Sequence, residues 1–309
     1  MWSERYDRQL DEIFALQDEI MKNILFELQV KLVEGEQLRY WLKDKQPKEF
    51  NFKRWNRIQL ILYHCNKGTP EGYEMARQMA HELIEKWPAY PIGYAWVSFL
   101  ELVDIWDGRS KSPLKSMQVA EEYAQKAFQI NESDPSIKII FSWLYLFKGQ
   151  HELAIAISEE LVASEPNGAM AHECLGTALC LGGRYEEAIQ HLELAIRLDP
   201  HPPADNYSWL GAAYAGQFAY GPTHPDKAIE FFKKALEVNP NDVIAHITMA
   251  CIYSYQNRME EARFHVAELL RSNPKYSLKV FAGGWLYKDR DALKPTLDLL
   301  RKAGLPEGL

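Results

Sequence analysis

Residues 169–200 read AMAHECLGTALCLGGRYEEAIQHLELAIRLDP: two apolar helical stretches, joined at Leu181-Gly182-Gly183-Arg184 and closed by Pro200. Leu175, Gly176 and Leu179 lie in the first stretch, and Ala188, Leu192 and Ala195 in the second. Glycine and alanine at these places let two antiparallel helices approach closely, because a larger substituent at Cβ would hold them apart. The glycine pair reverses the chain, and the proline forbids continuation of the second helix. A helix–turn–helix unit is the reading of this stretch.

The same punctuation recurs on both sides. Pro166, Pro200, Pro240 and Pro274 are spaced by 34, 40 and 34 residues, with Glu132 in the equivalent slot before Pro166 and Pro88 upstream of that. Unit 204–240 places Leu210, Gly211, Tyr214, Ala228, Phe232 and Ala235 in the slots of the first, and unit 243–274 places Met249, Ala250, Tyr253, Ala262, Val266 and Leu269 there. Unit 135–166 has Phe141, Ser142, Tyr145, Ala154 and Leu161; unit 91–132 has Ala120, Ala124 and Ala127; unit 52–88 has Ala76, Ala80 and Leu83 and is the poorest match. A period near 34 with small residues at constant offsets resembles the tetratricopeptide-repeat family over residues 52–274. The resemblance implies an all-α fold, a right-handed superhelical solenoid of about six repeats in which each hairpin buries its face on its neighbours. Residues 275–309 read as a C-terminal cap. Leu293, Leu297, Leu300 and Ala303 are at helical spacing, Gly304 and Pro306 form the stop, and Pro295 forces either a late start or a kink.

Residues 1–51 read as a linker with an amphipathic helix over about 11–40, its stripe formed by Ile13, Leu16, Ile20, Ile24, Leu28 and Leu32. The stretch Phe14-Ala15-Leu16-Gln17-Asp18-Glu19-Ile20 and the closing Leu300-Arg301-Lys302-Ala303-Gly304-Leu305-Pro306 resemble the segment of bacterial signalling proteins that follows a TolB-like domain and carries the repeats. Such arrays are attached to class III adenylate or guanylate cyclases and to winged-helix transcription regulators. The expectation is that the chain is the C-terminal part of such a protein, beginning in the tail of a TolB-like domain, with no cyclase residue of its own.

The 309 residues carry 35 Lys+Arg against 43 Asp+Glu, a net charge of −8. That balance offers no electrostatic footprint for a nucleic-acid backbone or an anionic membrane. No apolar run is long enough for a membrane span, and the N-terminus lacks the pattern of a signal peptide. Cys65, Cys174, Cys180 and Cys251 form no C-x-x-C pair, and a reducing cytoplasm fits free buried thiols.

Chemistry is sparse. Phosphate-binding glycine motifs, G-x-S-x-G and H-E-x-x-H are absent. His172 and His246 share a repeat position and read as packing between adjacent repeats. The acidic doublets Glu121-Glu122, Glu159-Glu160, Glu186-Glu187 and Glu260-Glu261 read as solvated residues, three of them at second-helix starts, where the helix dipole favours them. No catalytic residue, metal or cofactor is assigned.

The family resemblance implies that first helices line the concave face. Transferred here, that face offers Ile92, Phe99 and Leu102; Ile139, Trp143, Leu146 and Phe147; Met170, Glu173 and Thr177; Ser208 and Ala212; Ile247 and Tyr255. None of the transferred positions is Lys or Arg, which disfavours a clamp for a C-terminal carboxylate. Two readings stay open: an apolar groove for a protein segment, or residues that pack on one another. The segment could be the N-terminal helix of the same chain or of a second copy, making a homodimer. Substituting Ile20, Ile24 and Leu28 by Ser tests that. Inserted residues at 107–113 and 217–226 read as tolerated loop growth, with a binding edge as the alternative. The function expected is a non-catalytic scaffolding or regulatory interaction module; the alternatives are control of a cyclase domain or the sensor part of a transcription regulator.

Overall fold

The computed structural model describes residues 52–216 and 223–308. The chain divides into two compact units, Met1–Gln59 and Leu60–Leu309. Of the first, only residues 52–59 are described, at the start of α1 (Phe52–Cys65). The amphipathic stretch 11–40, the test at Ile20, Ile24 and Leu28, and the insertion residues 217–222 lie outside the described residues.

After α1 come α2 (Pro70–Lys86), α3 (Pro91–Trp106), α4 (Pro113–Ile130), α5 (Pro135–Phe147), α6 (His151–Ser164) and α7 (Ala169–Leu181). The order continues with α8 (Tyr185–Leu198), α9 (Ala204–Ala215), α10 (Pro225–Val238), α11 (Val243–Tyr255), α12 (Met259–Ser272), α13 (Leu278–Gly283) and α14 (Leu293–Lys302). Every described element is helical. Proline opens α2, α3, α4, α5 and α10, where its missing N–H costs nothing. Thr69, Asp134, Asp242 and Ser277 accept a backbone N–H at the starts of α2, α5, α11 and α13.

Helices α3 to α12 form five hairpins, and each first helix lies against the next first helix. The small residues do what their spacing implied. Ala120, Ala124, Ala154, Ala188, Ala195, Ala228, Ala235 and Ala262 are fully buried. A Cβ placed on Gly176 would come within 2.6 Å of Leu192, and one on Gly211 within 2.8 Å of the Phe232 ring. In three hairpins the turn is made by one left-handed residue: Gly149 (φ 71°), Gly183 (φ 84°) or Asn257 (φ 59°). Asparagine is the residue that best tolerates that conformation after glycine.

Within Leu60–Leu309 the array coils until distant repeats meet. The Asn241 side-chain amide donates to the Lys67 carbonyl at 3.1 Å, and that of Asn273 to the Asp107 carbonyl at 3.1 Å. Gly108 (φ 69°) packs so close to Val280 that a Cβ would lie 2.4 Å from it. The insertion at 107–113 is therefore a seam and not slack loop, which corrects its reading as tolerated growth. Helix α14 covers α11, with Ser254 Oγ donating to the Leu299 carbonyl at 2.9 Å. It starts at Leu293, leaving Pro295 in the first turn, where no intrahelical N–H is required.

One smaller expectation is corrected and another is extended. Of the four acidic doublets only Glu186-Glu187 and Glu260-Glu261 stand in a first turn; Glu121-Glu122 and Glu159-Glu160 lie inside α4 and α6. His172 and His246 tie to the preceding repeat, Nε2 of each lying 3.0 Å from the carbonyl of its closing proline, Pro166 or Pro240, and each also pairs within its own hairpin. Nδ1 of His172 lies 2.9 Å from Nδ1 of His191, and Nδ1 of His246 lies 3.0 Å from Nδ1 of His265.

Candidate functional site

The first helices lie side by side, and the centre of the face they share is aromatic. Trp106 at the end of α3, Trp143 and Phe147 on α5 and Trp209 on α9 form one cluster, with centroids 5.8 to 6.2 Å apart in edge-on or tilted contacts. Phe99 extends it from α3, 6.2 Å from Trp143. Edge-to-face packing of this kind adds to what the burial of area alone supplies.

The residues expected on this face are divided by depth. Ile92, Leu102, Leu146, Thr177, Ser208, Ala212 and Ile247 are buried among their neighbours. Ser208 Oγ donates to Asp242 Oδ1 at 2.8 Å, and that carboxylate oxygen also caps α11 at the Ala245 N–H. Phe99, Ile139, Trp143, Phe147 and Glu173 are partly exposed. Met170 and Tyr255 are exposed, at the start of α7 and the end of α11. The structure brings Phe99, Trp143 and Phe147 together, while Met170 and Tyr255 stand apart from that cluster.

Two features were not anticipated. The first is that polypeptide already lies on this face. After α13 the chain runs without helix through Trp285, Leu286 and Tyr287. The Lys288 N–H donates to the Leu181 carbonyl at 2.8 Å, and His151 Nε2 donates to the Leu286 carbonyl at 2.7 Å. A cavity of about 40 Å³ persists between this stretch and Trp106, Leu181, Trp209, Ile244 and Ile247. Trp285 and Tyr287, two residues apart, are its trace in the sequence, but a single alternation is too short to read.

The second is charge. Glu173, one of the transferred positions, and Asp205 on α9 belong to an acidic group with Asp107 and Asp242. Burial pushes the Glu173 carboxyl up to about 8, helped by Asp205 and Asp199. Asp205 reaches solvent but is crowded by protein, and that crowding, with Asp242 and Asp107 beside it, raises its carboxyl to about 7. Asp107 is raised to about 6 by burial, against the pull of Arg109. Arginines enter from outside the transferred positions. Arg77 on α2 pairs with Glu101 (2.7 Å) and Asp104, and Arg109 in the 107–113 loop pairs with Asp104 (3.0 Å) and Asp107.

A carboxyl raised in the folded state holds its proton better there than in the unfolded chain. Stability is then present at acid pH and is lost as pH rises from 4.5 through 8 for Glu173. Glu173→Gln should therefore raise unfolding free energy by about 1–3 kcal/mol at pH 9, after discounting for its wet edge, and change nothing below pH 4.5. Urea unfolding at both pH values checks this; an equal effect at the two would show that the charge is not the cause.

The thiols are poor nucleophiles, because burial pushes Cys174 up to about 11 and Cys65 and Cys180 to about 12. Among the described residues no group of three or more His, Cys, Asp or Glu is placed to hold a metal ion. No described helix is long and apolar enough to cross a membrane.

Comparison with known proteins agrees with the architecture. Family models described as tetratricopeptide repeat match residues 141–203 and 222–279. The chain is 30% identical over 162 residues to putative adenylate cyclase 3 of Rhizobium meliloti (strain 1021), covering 51% of this chain and 24% of that protein. It is 25% identical over 205 residues to cellulose synthase operon protein C of Escherichia coli (strain K12), covering 62% of this chain and 18% of that protein. The chain thus spans a quarter or less of the length of these curated relatives. A solved human IFIT1 dimer with PPP-AAAA superposes with a TM-score of 0.51 at 20% identity, over 64% of this chain and 45% of that one. Tetratricopeptide repeats are thus matched at 141–203 and 222–279, and the described residues form an all-α array of the kind that such repeats build.

Proposed function

We propose that this array is a non-catalytic protein-interaction module that grips a polypeptide segment of apolar character on its concave face. The single observation that supports this most is the stretch Trp285–Lys288, polypeptide lying on that face through aromatic side chains, one backbone hydrogen bond to Leu181 and one from the His151 side chain. Shape and apolar contact do the recognising, with Phe99, Ile139, Trp143 and Phe147 as the accessible apolar surface. The segment belongs to another protein, to a second copy, or to residues 11–40, and the setting is the bacterial cytoplasm.

The test is a phage-displayed library of 12-residue peptides selected on the whole chain. Enriched sequences are expected to be apolar, and their binding should weaken at least tenfold in Phe99→Lys or Ile139→Lys. Phe264→Lys, on an exposed site of α12, should leave it unchanged. No enrichment, or binding moved only by Phe264→Lys, overturns the reading.

Similarity to putative adenylate cyclase 3 favours a second reading, in which the array regulates a cyclase domain of the same polypeptide. Sequencing the surrounding reading frame tests it. A class III cyclase domain in frame supports it, and an in-frame stop codon directly before Met1 removes it.

A further inference from the structure

The stretch on the concave face lies between two points where the chain can pivot. On one side Gly283 and Gly284 end α13, and a Cβ on Gly283 would meet nothing within 4 Å. On the other, Asp289 Oδ1 accepts the N–H groups of Asp291 and Ala292 and leads into α14. Beyond these pivots both flanks are tied down. The N–H groups of Leu278 and Lys279 donate to the carbonyls of Pro306 and Glu307, and α14 is held on α11 by Ser254. The five residues Gly284–Lys288 can therefore leave while both flanks stay.

What holds them is specific. At the end of α7 the turn uses the carbonyls of Ala178, Leu179 and Cys180, leaving that of Leu181 as the unmet acceptor that Lys288 N–H fills. His151 supplies the matching donor, to the Leu286 carbonyl. Further polar ties are Trp285 Nε1 donating to the Asp289 carbonyl at 3.0 Å and Arg290 donating to the Trp285 carbonyl at 3.1 Å, both to the flank on the α14 side and not to the array. The tie of Lys288 to Glu152 at 2.7 Å is exposed and worth little in water. Trp285 and Leu286 are buried, and the Trp285 and Tyr287 rings touch with centroids 5.1 Å apart. Yet the fit beneath them is loose, for the cavity of about 40 Å³ has room for about three waters at roughly 10–15 Å³ each. A close-packed interior leaves few gaps of that size.

We propose that Gly284–Lys288 is an internal ligand that keeps the place of a partner segment of like chemistry. That partner is an extended chain with two large aromatic side chains two residues apart, a carbonyl for His151 and an N–H for Leu181. It binds by displacing Gly284–Lys288, so the resting chain binds it more weakly than an emptied face would. This rests on the reading of the concave face as the partner-binding side.

Two measurements on the whole chain test the proposal. By NMR hydrogen exchange, the Lys288 amide should exchange at least a hundredfold faster than the interior amides of α7 and α9, because the stretch opens without the array unfolding. Equal rates overturn it. In the second, a fluorescein-labelled peptide of residues 283–289 is titrated against the wild type and against Trp285→Ser/Tyr287→Ser. The double variant should bind at least tenfold more tightly; a folded double variant that takes no peptide overturns the proposal. Should that variant lose its helical circular dichroism, His151→Ala removes a tether and keeps every apolar contact of the stretch. Lys288 exchange should then quicken at least tenfold, and an unchanged rate overturns the proposal. If Lys288 opens locally and the peptide binds but the displayed library finds nothing, the functional reading falls and the internal ligand stands. If the library succeeds while Lys288 exchanges with α7, the reverse holds.

Discussion

Gly211→Ala is expected to destabilise the array by about 1–3 kcal/mol in the native background and to stabilise it once Phe232 has been cut back. The added methyl group would lie 2.8 to 3.0 Å from three atoms of the Phe232 ring, which is fully buried between α9 and α10 and has nowhere to retreat. Phe232→Ala alone should cost about 3–5 kcal/mol, the ordinary loss for deleting a buried ring. In that background the clash is gone, and alanine should gain about 0.5–1 kcal/mol over glycine inside a helix. The reversal of sign is the test, read from urea unfolding of the four proteins. Additive effects would mean that close approach is not what requires glycine at 211.

The second large effect is in acid. His246 Nε2 lies 3.0 Å from the Pro240 carbonyl, which can only accept, so that nitrogen carries the proton. Nδ1 of the neutral ring is then a lone pair and accepts the Nδ1–H of His265. Burial, with His246 alongside, depresses His265 to about 4, and burial lowers His246 as well. A depressed histidine binds fewer protons folded than unfolded, so stability is whole above pH 6.5 and drains away as pH falls toward 4. The loss from His265 comes to about 3 kcal/mol. His265→Asn keeps a donor for His246 and does not titrate there, so it should abolish most of that loss while costing about 1 kcal/mol or less at pH 7.5. An unchanged acid limb would place the sensitivity elsewhere. The acidic group around Glu173 works in the opposite direction, so stability should peak between the two limbs.

The pairing of His172 with His191 and of His246 with His265 illustrates what could not be read from the chain. Both pairs are separated by 19 residues, but nothing in a one-dimensional pattern says which second-helix residue the first-helix histidine meets. Glu173 was named at a groove position, but its acidic surroundings could not be read from the chain, because Asp205 comes from the next hairpin and Asp205's own neighbours Asp107 and Asp242 from others again. Arg77 and Arg109 were missed because they stand outside the transferred positions: Arg77 reaches Glu101 and Asp104 from the neighbouring α2, and Arg109 reaches Asp104 and Asp107 from the loop that follows α3.

The amino-acid sequence by itself determined the hairpins. Gly176, Gly211 and the buried alanines work over one helix–helix distance, and the turn residues and closing prolines over a few bonds, so spacing alone encodes them. Where the coil meets itself was decided only in three dimensions. Asn241 reaches Lys67, Asn273 reaches Asp107 and Lys288 reaches Leu181 because small rotations accumulate from repeat to repeat. That accumulation carries Trp285–Lys288 across the concave face, and it separates an open groove from one that holds its own chain.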